Sequence, residues 1–362
     1  MSSVDTPECG PNDVVIAPRF VGLCGTDIQV YRRGQEAKAN VLGHEGVGVV
    51  TEVGKSVSSW ETGEAVVFNP VNPVDPDEIL GLQFDGVLQE SILVESAETV
   101  PWLIQKIPHE LMKPVGALIV PIATAIYSTR LVDSVGNDRN AVVVGDGPIA
   151  LSNSIILRSA GYRSVQMVHG SSARSRWAVS NGYFDQRDVV SSKSDVPSRI
   201  VERLGGIHPD IAVICTPAEA VEQSANDALR YLKPNGHMNF VSSATPSVIS
   251  LSTGDLDIHD LQRRNHNGIS HSGSTQNFVS SDGKAVNVTG LRGVSFADIQ
   301  ASIDLLTENP RPFEKLITEV VELKHAVSLI SSAVDWALGR RAGSRPMKAV
   351  IELDSDNYGQ YH

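Results

Sequence analysis

The sequence predicts an α/β protein in which an irregular, barrel-like β domain is followed by a doubly wound parallel sheet. Three observations predict this fold class. Short apolar strands broken by glycines run from Val14 to Val94, as in small irregular barrels. Strands then alternate with helices between Ala141 and Val241, as in parallel sheets. The first strand of that series ends in a glycine turn, Gly145-Asp146-Gly147, and a helix is predicted directly after it.

Composition limits which classes of protein and which kinds of partner are compatible with the sequence. The chain has 362 residues, 41% of them hydrophobic and 20% charged, which suffices for two domains with separate cores. A net charge of −12 argues against nucleic acid or an anionic membrane as a partner. The longest apolar run, Val115–Tyr127, is too short to span a bilayer and contains Pro121. Three widely spaced cysteines and a polar N-terminal segment predict a cytoplasmic protein without a disulfide framework or a signal peptide.

The first predicted domain consists of short strands and loops. Proline and acidic residues dominate Asn69–Leu82, which predicts a loop, and the pattern becomes helical between Met112 and Leu131. The predicted strands are Val14–Val21, strands within the glycine-rich segment Val41–Gly54, Gly63–Phe68 and Val87–Val94.

The second predicted domain follows the alternation of strand and helix. Its predicted strands are Ala141–Val144, Ser164–Val168, Ile211–Cys215 and His237–Val241, and its predicted helices are Leu151–Ala160, Ala173–Gly182 and Ala218–Leu232. The tail has predicted helices at Phe296–Thr307 and Leu323–Leu338 and strands at Ile317–Val321 and Met347–Leu353. We expect this tail to return to the first domain. The predicted division is therefore a catalytic domain of residues 1–125 and 286–362, with a nucleotide-binding domain of residues 126–285 between its two parts.

The glycine turn fits the dinucleotide-binding pattern G-x-G-x-x-G/A. Gly145 permits a tight turn, and Gly147 lets backbone amides approach a pyrophosphate at the positive end of the following helix. Pro148 and Ile149 open that helix, and Ala150 is small enough to pack on the strand. By itself the pattern is weak, because glycine turns between strands and helices are common. It supports a nucleotide site only together with the rest of the chain.

A second group of residues has the chemistry of a zinc site. Cys24 and His44 lie 20 residues apart on predicted turns, and Glu45 follows His44 directly. A thiolate, an imidazole and a carboxylate together suit a divalent zinc ion. Taken alone, Cys24 would more often be a small buried apolar residue and His44 a hydrogen-bonded core residue. Similarly, Thr26 and Asp27 are common turn-forming residues.

These motifs together resemble a known family. Cys24-Gly25-Thr26-Asp27 and Gly43-His44-Glu45, followed by the glycine turn at Gly145, resemble the medium-chain zinc alcohol dehydrogenase superfamily, especially its sorbitol and threonine dehydrogenase branch. The resemblance extends from about Pro7 to Leu353. It implies a GroES-like catalytic domain, a Rossmann nucleotide-binding domain, a nicotinamide cofactor, and a homodimer or homotetramer.

The resemblance also implies a role for each motif residue. Cys24 and His44 would hold the catalytic zinc, and Thr26 would hydrogen-bond the substrate alcohol and relay its proton. Asp27 would orient the ligating histidine, and Glu45 would bind zinc directly or lie just behind it. In such a site zinc lowers the pKa of a bound alcohol, and the alkoxide transfers hydride to the nicotinamide.

Two departures from the family pattern affect the metal sites. Val120 stands before Pro121, where relatives have a further zinc ligand, and valine cannot bind a metal. A catalytic zinc would therefore depend on Cys24, His44, Glu45 and water, or would be weak or absent. Asn69–Leu82 has none of the four cysteines that hold a structural zinc in many relatives, so no structural zinc is expected.

The end of the second strand of the nucleotide-binding domain indicates which cofactor is preferred. NAD enzymes place a carboxylate there to bind the ribose hydroxyls, but here His169-Gly170-Ser171 follows the strand. Ser171 and Arg174 can hold a 2′-phosphate instead, which favours NADP over NAD. A solvated helix face is the alternative interpretation of Arg174. We assign His169 and Thr216 to the same cofactor site.

We therefore expect an oxidoreductase that transfers hydride between NADP(H) or NAD(H) and a secondary alcohol or ketone. The substrate would be a small hydroxylated molecule: a polyol, cyclitol, sugar or amino alcohol. One alternative is a zinc-independent reductase, or an epimerase or eliminase that oxidises its substrate transiently on the same scaffold. A non-catalytic nucleotide-binding protein is the third, and the presence of Cys24, Thr26 and His44 argues against it.

Overall fold

The computed structural model describes residues 7–33, 38–97, 101–132, 139–252, 254–270, 274–280, 283–341 and 345–353. The chain forms two compact units, and the predicted α/β fold class with two domains is confirmed. Unit 1 comprises Met1–Pro121 and Ile299–His362, and unit 2 comprises Ile122–Asp298. The domain limits at residues 125/126 and 285/286 stay a prediction.

Unit 1 is built on a mostly antiparallel sheet. Its strands, numbered in chain order, are β1 (Val14–Gly22), β2 (Gly46–Val53), β3 (Ala65–Phe68), β4 (Ile92–Val94), β5 (Ile104–Lys106), β17 (Ile317–Glu322) and β18 (Lys348–Glu352). Its helices are α1 (Gly25–Arg33), α9 (Arg311–Glu314) and α10 (Ala326–Ala337), with short 3₁₀ turns at Pro101–Leu103, His109–Leu111, Pro114–Leu118 and Leu323–His325. The helices α2 (Ile119–Val132) and α8 (Phe296–Glu308) carry the chain from one unit to the other.

The strand order in unit 1 is β17-β18-β1-β2-β3-β5, and β4 also pairs with β1. The strand β1 is therefore central, and its apolar side chains Val14 and Ile16 are fully buried. Pro18 lacks the amide that a ladder needs, and β1 accommodates it beside a register shift against β2. The predicted return of the tail is confirmed, because β18 pairs with β1 from across the sequence.

Unit 2 is built on a mostly parallel sheet. Its strands are β6 (Asn140–Val144), β7 (Ser164–His169), β8 (Val189–Ser191), β9 (Ile211–Ile214), β10 (Gly236–Phe240), β11 (Val248–Leu251), β12 (Gly254–Asp257), β13 (Asn265–His266), β14 (Ile269–Ser270), β15 (Gln276–Val279) and β16 (Ala285–Gly290). Its helices are α3 (Pro148–Ser159), α4 (Ser172–Ser180), α5 (Val196–Arg203), α6 (Val221–Tyr231) and α7 (Ile258–Arg263), with 3₁₀ turns at Gln186–Asp188 and Ala218–Ala220.

The strand order in unit 2 is β15-β16-β10-β9-β6-β7-β8, in which only the β15–β16 pairing is antiparallel. The central strands β6 and β9 are buried along their whole length, as both faces of a parallel sheet require. Each fully buried aliphatic side chain there contributes about 1.5–3 kcal/mol to stability. Because β6, β7 and β9 are parallel neighbours, their carboxyl ends lie along one edge of the sheet.

The structure corrects several predicted elements. The helix α3 begins at Pro148, three residues before the predicted Leu151, because proline is favourable at a first helical position and Gly147 precedes it. Of the predicted strand Val87–Val94, only Ile92–Val94 pairs with a neighbour. Sequence reasoning missed β5, β8, α1, α5, α7, α9, the two hairpins β11–β12 and β13–β14, and the strands β15 and β16.

One helical segment, Pro114–Val132, is long and apolar enough to cross a membrane by length and composition alone. However, 78% of its apolar window is buried inside the protein, as in the core helix of a water-soluble protein. The described residues of this segment therefore give no support for a membrane span.

Candidate active site

In unit 1, Asp27 holds together the two turns that contain Cys24 and His44. Its carboxylate accepts hydrogen bonds from the backbone amide of Cys24, at 2.8 Å, and from that of Gly43, at 3.2 Å. Gly43 adopts a φ of +94°, which turns the chain so that His44 follows beside Asp27. A buried carboxylate thus connects the turn after β1 to the turn before β2, and two motifs separated in sequence become neighbours.

His44 is held between two carboxylates. Its Nδ1 lies 3.3 Å from Asp27 Oδ1, and its Nε2 lies 3.8 Å from Glu45 Oε1. Burial alone would lower the pKa of His44, but Asp27 and then Cys24 outweigh it and raise that pKa well above its usual value. Burial would raise the pKa of Asp27, and the charge of His44 outweighs it, so the pKa of Asp27 is lowered. Asp27 therefore fixes the Nδ1 side of the ring, and Nε2 faces Glu45.

The potential ligand atoms of Cys24, His44 and Glu45 all lie within 4.8 Å of one another. Cys24 is half-buried, and its Sγ donates to Thr26 Oγ1 at 3.7 Å. The predicted residues Cys24, Thr26, Asp27, His44 and Glu45 therefore form one cluster in unit 1. Such a cluster can bind a soft divalent cation and place a hydroxyl group beside it.

Lys348 forms a buried ion pair with Glu45, and sequence reasoning missed it. Its Nζ donates to Glu45 Oε2, and the two side chains are 3% and 6% exposed. Lys348 begins β18, and its side chain passes Gly22, where a Cβ would lie 2.8 Å from Lys348 Cε. A lysine inside the apolar segment Met347–Leu353 was the available signal, because a buried lysine requires a partner.

The glycine turn of unit 2 is shaped by close backbone contacts. Gly145 has a φ of +139°, and a Cβ there would lie 2.4 Å from the carbonyl oxygen of Cys215. Gly147 is the N-cap of α3 and has no side-chain cap, and Pro148 and Ile149 follow it in the first turn. Backbone amides at this end of α3 therefore have no partner within the helix and can bind an anion. Within 4 Å, and among the described residues, a Cβ on Gly147 would meet Arg174 Nη1 alone, at 3.6 Å.

A carboxylate lies at the end of β7, although the residues that follow this strand in the sequence contain none. Asp146, from the glycine turn, accepts hydrogen bonds through Oδ2 from the amides of Gly170, at 3.0 Å, and Ser171, at 2.7 Å. Its Oδ1 lies 3.7 Å from Arg174 Nη1. The signal for this contact was an aspartate between the two glycines of the turn, but the strand register was needed to place it.

The side chain of Arg174 is largely buried and does not lie on a solvated helix face. Its side chain is 13% exposed, and burial lowers its pKa while Asp146 opposes that change. Ser171 Oγ caps the helix α4 by accepting from the amide of Arg174 at 3.4 Å. His169 ends β7, and burial lowers its pKa.

Thr216 follows the end of β9, and its Oγ1 is buried without a hydrogen-bond partner among the described residues. An orphaned hydroxyl, the open position at Gly147 and the amides of α3 all lie at the carboxyl ends of neighbouring parallel strands. These features fit a dinucleotide, which binds at that edge in open parallel sheets.

Comparisons with known proteins match this chain to alcohol and polyol dehydrogenases. Residues 10–106 match the model of the alcohol dehydrogenase GroES-like domain. Sorbitol dehydrogenase of Rattus norvegicus is 27% identical over 260 residues, which cover 68% of this chain and 71% of that protein. The chain is similar to medium-chain alcohol dehydrogenases. Among these it resembles sorbitol dehydrogenases, and the similarity supports an NAD(P)-dependent dehydrogenase.

Solved structures show the same fold for the dehydrogenase. The 2R,3R-butanediol dehydrogenase of Bacillus subtilis aligns with a TM-score of 0.70 at 23% identity, over 97% of this chain and 95% of that one. A short chain alcohol dehydrogenase of Escherichia coli, complexed with NADH, aligns with a TM-score of 0.71 at 21% identity, over 96% and 94% of the two chains.

The predicted site residues form two groups, one in unit 1 and one in unit 2. The unit 1 cluster contains every predicted catalytic and metal-binding residue, and Lys348 is added to it. In unit 2 the predicted residues lie at and after the ends of β6, β7 and β9, and Asp146 is added to them. These cofactor-site residues are Gly145, Gly147, Pro148, Ile149, His169, Ser171, Arg174 and Thr216. The roles of the individual residues stay predictions.

Proposed function

We propose that the dehydrogenase transfers hydride between a nicotinamide cofactor and a secondary alcohol, with a catalytic zinc held by Cys24, His44 and Glu45. One observation carries this proposal: a thiol, an imidazole and a carboxylate from separate turns meet within 4.8 Å in a largely buried cluster. A thiol, an imidazole and a carboxylate that converge in this way are the ligand types that zinc prefers in proteins.

The donor set fits zinc in number, type and spacing. Tetrahedral zinc with bonds of about 2.0–2.3 Å separates its ligand atoms by roughly 3.4–3.7 Å. The distance of 3.8 Å from His44 Nε2 to Glu45 Oε1 is close to that spacing. Glu45 can contribute Oε1 while Oε2 stays on Lys348, so ligation does not break the ion pair. A fourth position remains for water or substrate, as catalytic zinc sites require.

The chain's own residues then have distinct tasks. Asp27 keeps the His44 ring in place through Nδ1, so that Nε2 faces the ligand position. Thr26 Oγ1, 3.7 Å from Cys24 Sγ, accepts the alcohol proton and passes it toward solvent. A bound zinc would supply the charge that stabilises the alkoxide.

The proposed cofactor is NADP(H) or NAD(H), with NADP favoured. The turn at Gly145 and Gly147 and the open end of α3 support pyrophosphate binding. Arg174, next to Gly147, is the cation available for a 2′-phosphate, and Ser171 lies at the same helix end. The similar Escherichia coli structure contains NADH, which supports a nicotinamide cofactor in general.

The proposed substrate is a small hydroxylated molecule such as a polyol, cyclitol, sugar or amino alcohol. The names of the sorbitol and butanediol dehydrogenases support this class, since both act on neighbouring or multiple hydroxyl groups. We further propose a cytoplasmic homodimer or homotetramer that has no nucleic-acid or membrane partner. The net charge of −12 supports the second part of this proposal, because nucleic acids and anionic membranes repel a negatively charged protein.

A zinc-independent reductase is the second candidate, and a specific observation favours it. Lys348 already neutralises Glu45 without a metal, and Val120 cannot supply a further ligand. In that case Asp27 and His44 would serve as a charged pair that orients the substrate or exchanges protons with it.

Zinc content separates the two candidates. We would measure zinc per chain by mass spectrometry on protein purified without chelator, for the wild type, Cys24→Ala and Cys9→Ser. Cys9 is a matched control because, among the described residues, its thiol donates to the nearby backbone carbonyls of Gly10 and Asp13. We expect about one zinc per chain in the wild type and in Cys9→Ser, and a large loss in Cys24→Ala. Turnover by a wild type that holds no zinc would reject the zinc mechanism and select the second candidate.

A further inference from the structure

We propose that Asp146 determines how strongly the dehydrogenase discriminates between NADP and NAD, and that it makes the enzyme accept both. This inference rests on the proposed function, specifically on dinucleotide binding at the glycine turn. Asp146, at the end of β6, reaches across the turn to the end of β7 and to Arg174. We call these three contacts, to the amides of Gly170 and Ser171 and to the Arg174 guanidinium, the Asp146 clasp.

The clasp fixes a negative charge at the end of β7. Asp146 Oδ2 is occupied by the two amides, at 3.0 and 2.7 Å, which leaves Oδ1 directed toward Arg174 Nη1 at 3.7 Å. Two backbone hydrogen bonds hold the carboxylate in a single orientation. In NAD-binding sheets, a carboxylate at this edge takes the hydroxyls of the adenosine ribose. Here the carboxylate comes from the turn after β6 and lies against the amides that follow β7.

The same clasp limits the use of Arg174 for a phosphate. A 2′-phosphate carries a charge of about −1.5 to −2, and it gains attraction from Arg174 but also repulsion from Asp146. Arg174 is held 3.7 Å from the carboxylate, and its guanidinium is largely buried, so solvent screens neither interaction well. Attraction and repulsion therefore offset each other in NADP, whereas in NAD the ribose hydroxyls can donate to Asp146. The wild type therefore keeps only a small preference for NADP, and the two cofactors bind with affinities of similar size.

A purely structural role for Asp146 would predict something different. The helix α4 already has a cap, since Ser171 Oγ accepts from the amide of Arg174. Asparagine at position 146 keeps an oxygen for the amides of Gly170 and Ser171 but removes the charge. Asp146→Asn therefore separates the electrostatic role from the hydrogen-bonding role.

The test compares dissociation constants rather than turnover. We would measure binding of NADPH and NADH by nicotinamide fluorescence, and of adenosine 2′-monophosphate and adenosine 5′-monophosphate by calorimetry. The proteins are the wild type, Asp146→Asn and Arg174→Gln. The two nucleotide fragments test the adenosine end of the site, and their binding does not depend on zinc or on hydride transfer.

We expect wild-type dissociation constants for NADPH and NADH within about tenfold of each other, since neither charge dominates. Asp146→Asn should change the ratio of the NADPH and NADH dissociation constants by tenfold or more in favour of NADPH. The same variant should favour adenosine 2′-monophosphate over adenosine 5′-monophosphate. Arg174→Gln should shift both ratios in the opposite direction, so a folding defect in one variant does not remove the test.

Two results overturn the inference, and they differ in their meaning for the function. Unchanged cofactor ratios in Asp146→Asn, in a protein that binds both dinucleotides, reject the Asp146 clasp as a determinant and leave the proposed function intact. A wild type that binds neither dinucleotide nor either fragment rejects the proposed function and the inference together.

Discussion

Replacing Lys348 by methionine tests the buried ion pair with Glu45 most directly. Methionine keeps an unbranched apolar stem that can pass Gly22, but it removes the ammonium group from a carboxylate that is only 6% exposed. Removing one partner of a buried pair leaves an uncompensated charge and typically costs about 3–5 kcal/mol. At about 2–4 °C per kcal/mol for a domain of this size, the melting temperature of unit 1 should fall by roughly 6–20 °C.

The assay is a double-mutant cycle on metal-free protein, measured by urea denaturation and by calorimetry. The proteins are the wild type, Lys348→Met, Glu45→Gln and the double variant. Each single variant should be destabilised, since Glu45→Gln leaves the ammonium of Lys348 buried instead. The double variant buries no charge, so it should recover at least about 2 kcal/mol relative to the sum of the two single losses.

The reasoning is refuted if Lys348→Met unfolds within about 1 kcal/mol of the wild type, or if the two single effects simply add. Either result would mean that water or another group compensates Glu45 after Lys348 is removed. A destabilised Lys348→Met protein that the second substitution does not rescue would point to packing against Gly22 rather than to charge.

Two further predictions concern unit 2. His237 is buried, lies 2.9 Å from Thr289 Oγ1 through Nε2, and has a pKa lowered by burial to about 4. Because the unfolded chain binds this proton near pH 6.5, stability should fall by about 3 kcal/mol as pH drops from 6.5 toward 4. His237→Gln should flatten that part of the pH profile in urea denaturation, and an unchanged slope would contradict the assignment. Gly145→Ala should abolish cofactor binding or lower stability by more than about 2 kcal/mol, because its Cβ would lie 2.4 Å from Cys215 O. Gly161→Ala is the matched control, with a φ of +83° but no atom within 4 Å of a Cβ, and equal effects of the two substitutions in cofactor titrations and thermal melts would refute the steric argument.

The part of the fold that the sequence predicted has strong local signals. The run from Ala141 to Val144 is apolar and β-branched, and a glycine turn and a helix follow it, so β6 and α3 could be recognised without distant contacts. The strand β16 was missed although Val286 and Val288 are fully buried and alternate with Asn287 and Thr289, a pattern typical of strands. The alternation covers only four residues, which is short for recognition from sequence alone.

The site was predicted where family motifs are contiguous and missed where the tertiary fold brings distant residues together. Cys24, Thr26 and His44 belong to short motifs that can be recognised in the sequence. Lys348 lies 303 residues from Glu45, and only the pairing of β18 with β1 reveals that they meet. The sequence predicts that Asp146 lies in the turn, but its contact with the end of β7 depends on the parallel pairing of β6 with β7.

The two-part composition of unit 1 has a consequence for synthesis on the ribosome. Unit 2 is one uninterrupted stretch, whereas β1 must wait for β18 until the ribosome has translated residues 348–352. At about 5–20 residues per second, that delay is roughly 15–65 s. During this interval the part of β1 that pairs with β18, residues 20–22, lacks that partner, and Glu45 lacks Lys348. The nascent dehydrogenase therefore completes unit 2 first. Unit 1, which contains Cys24 and His44, is complete only when translation has reached β18.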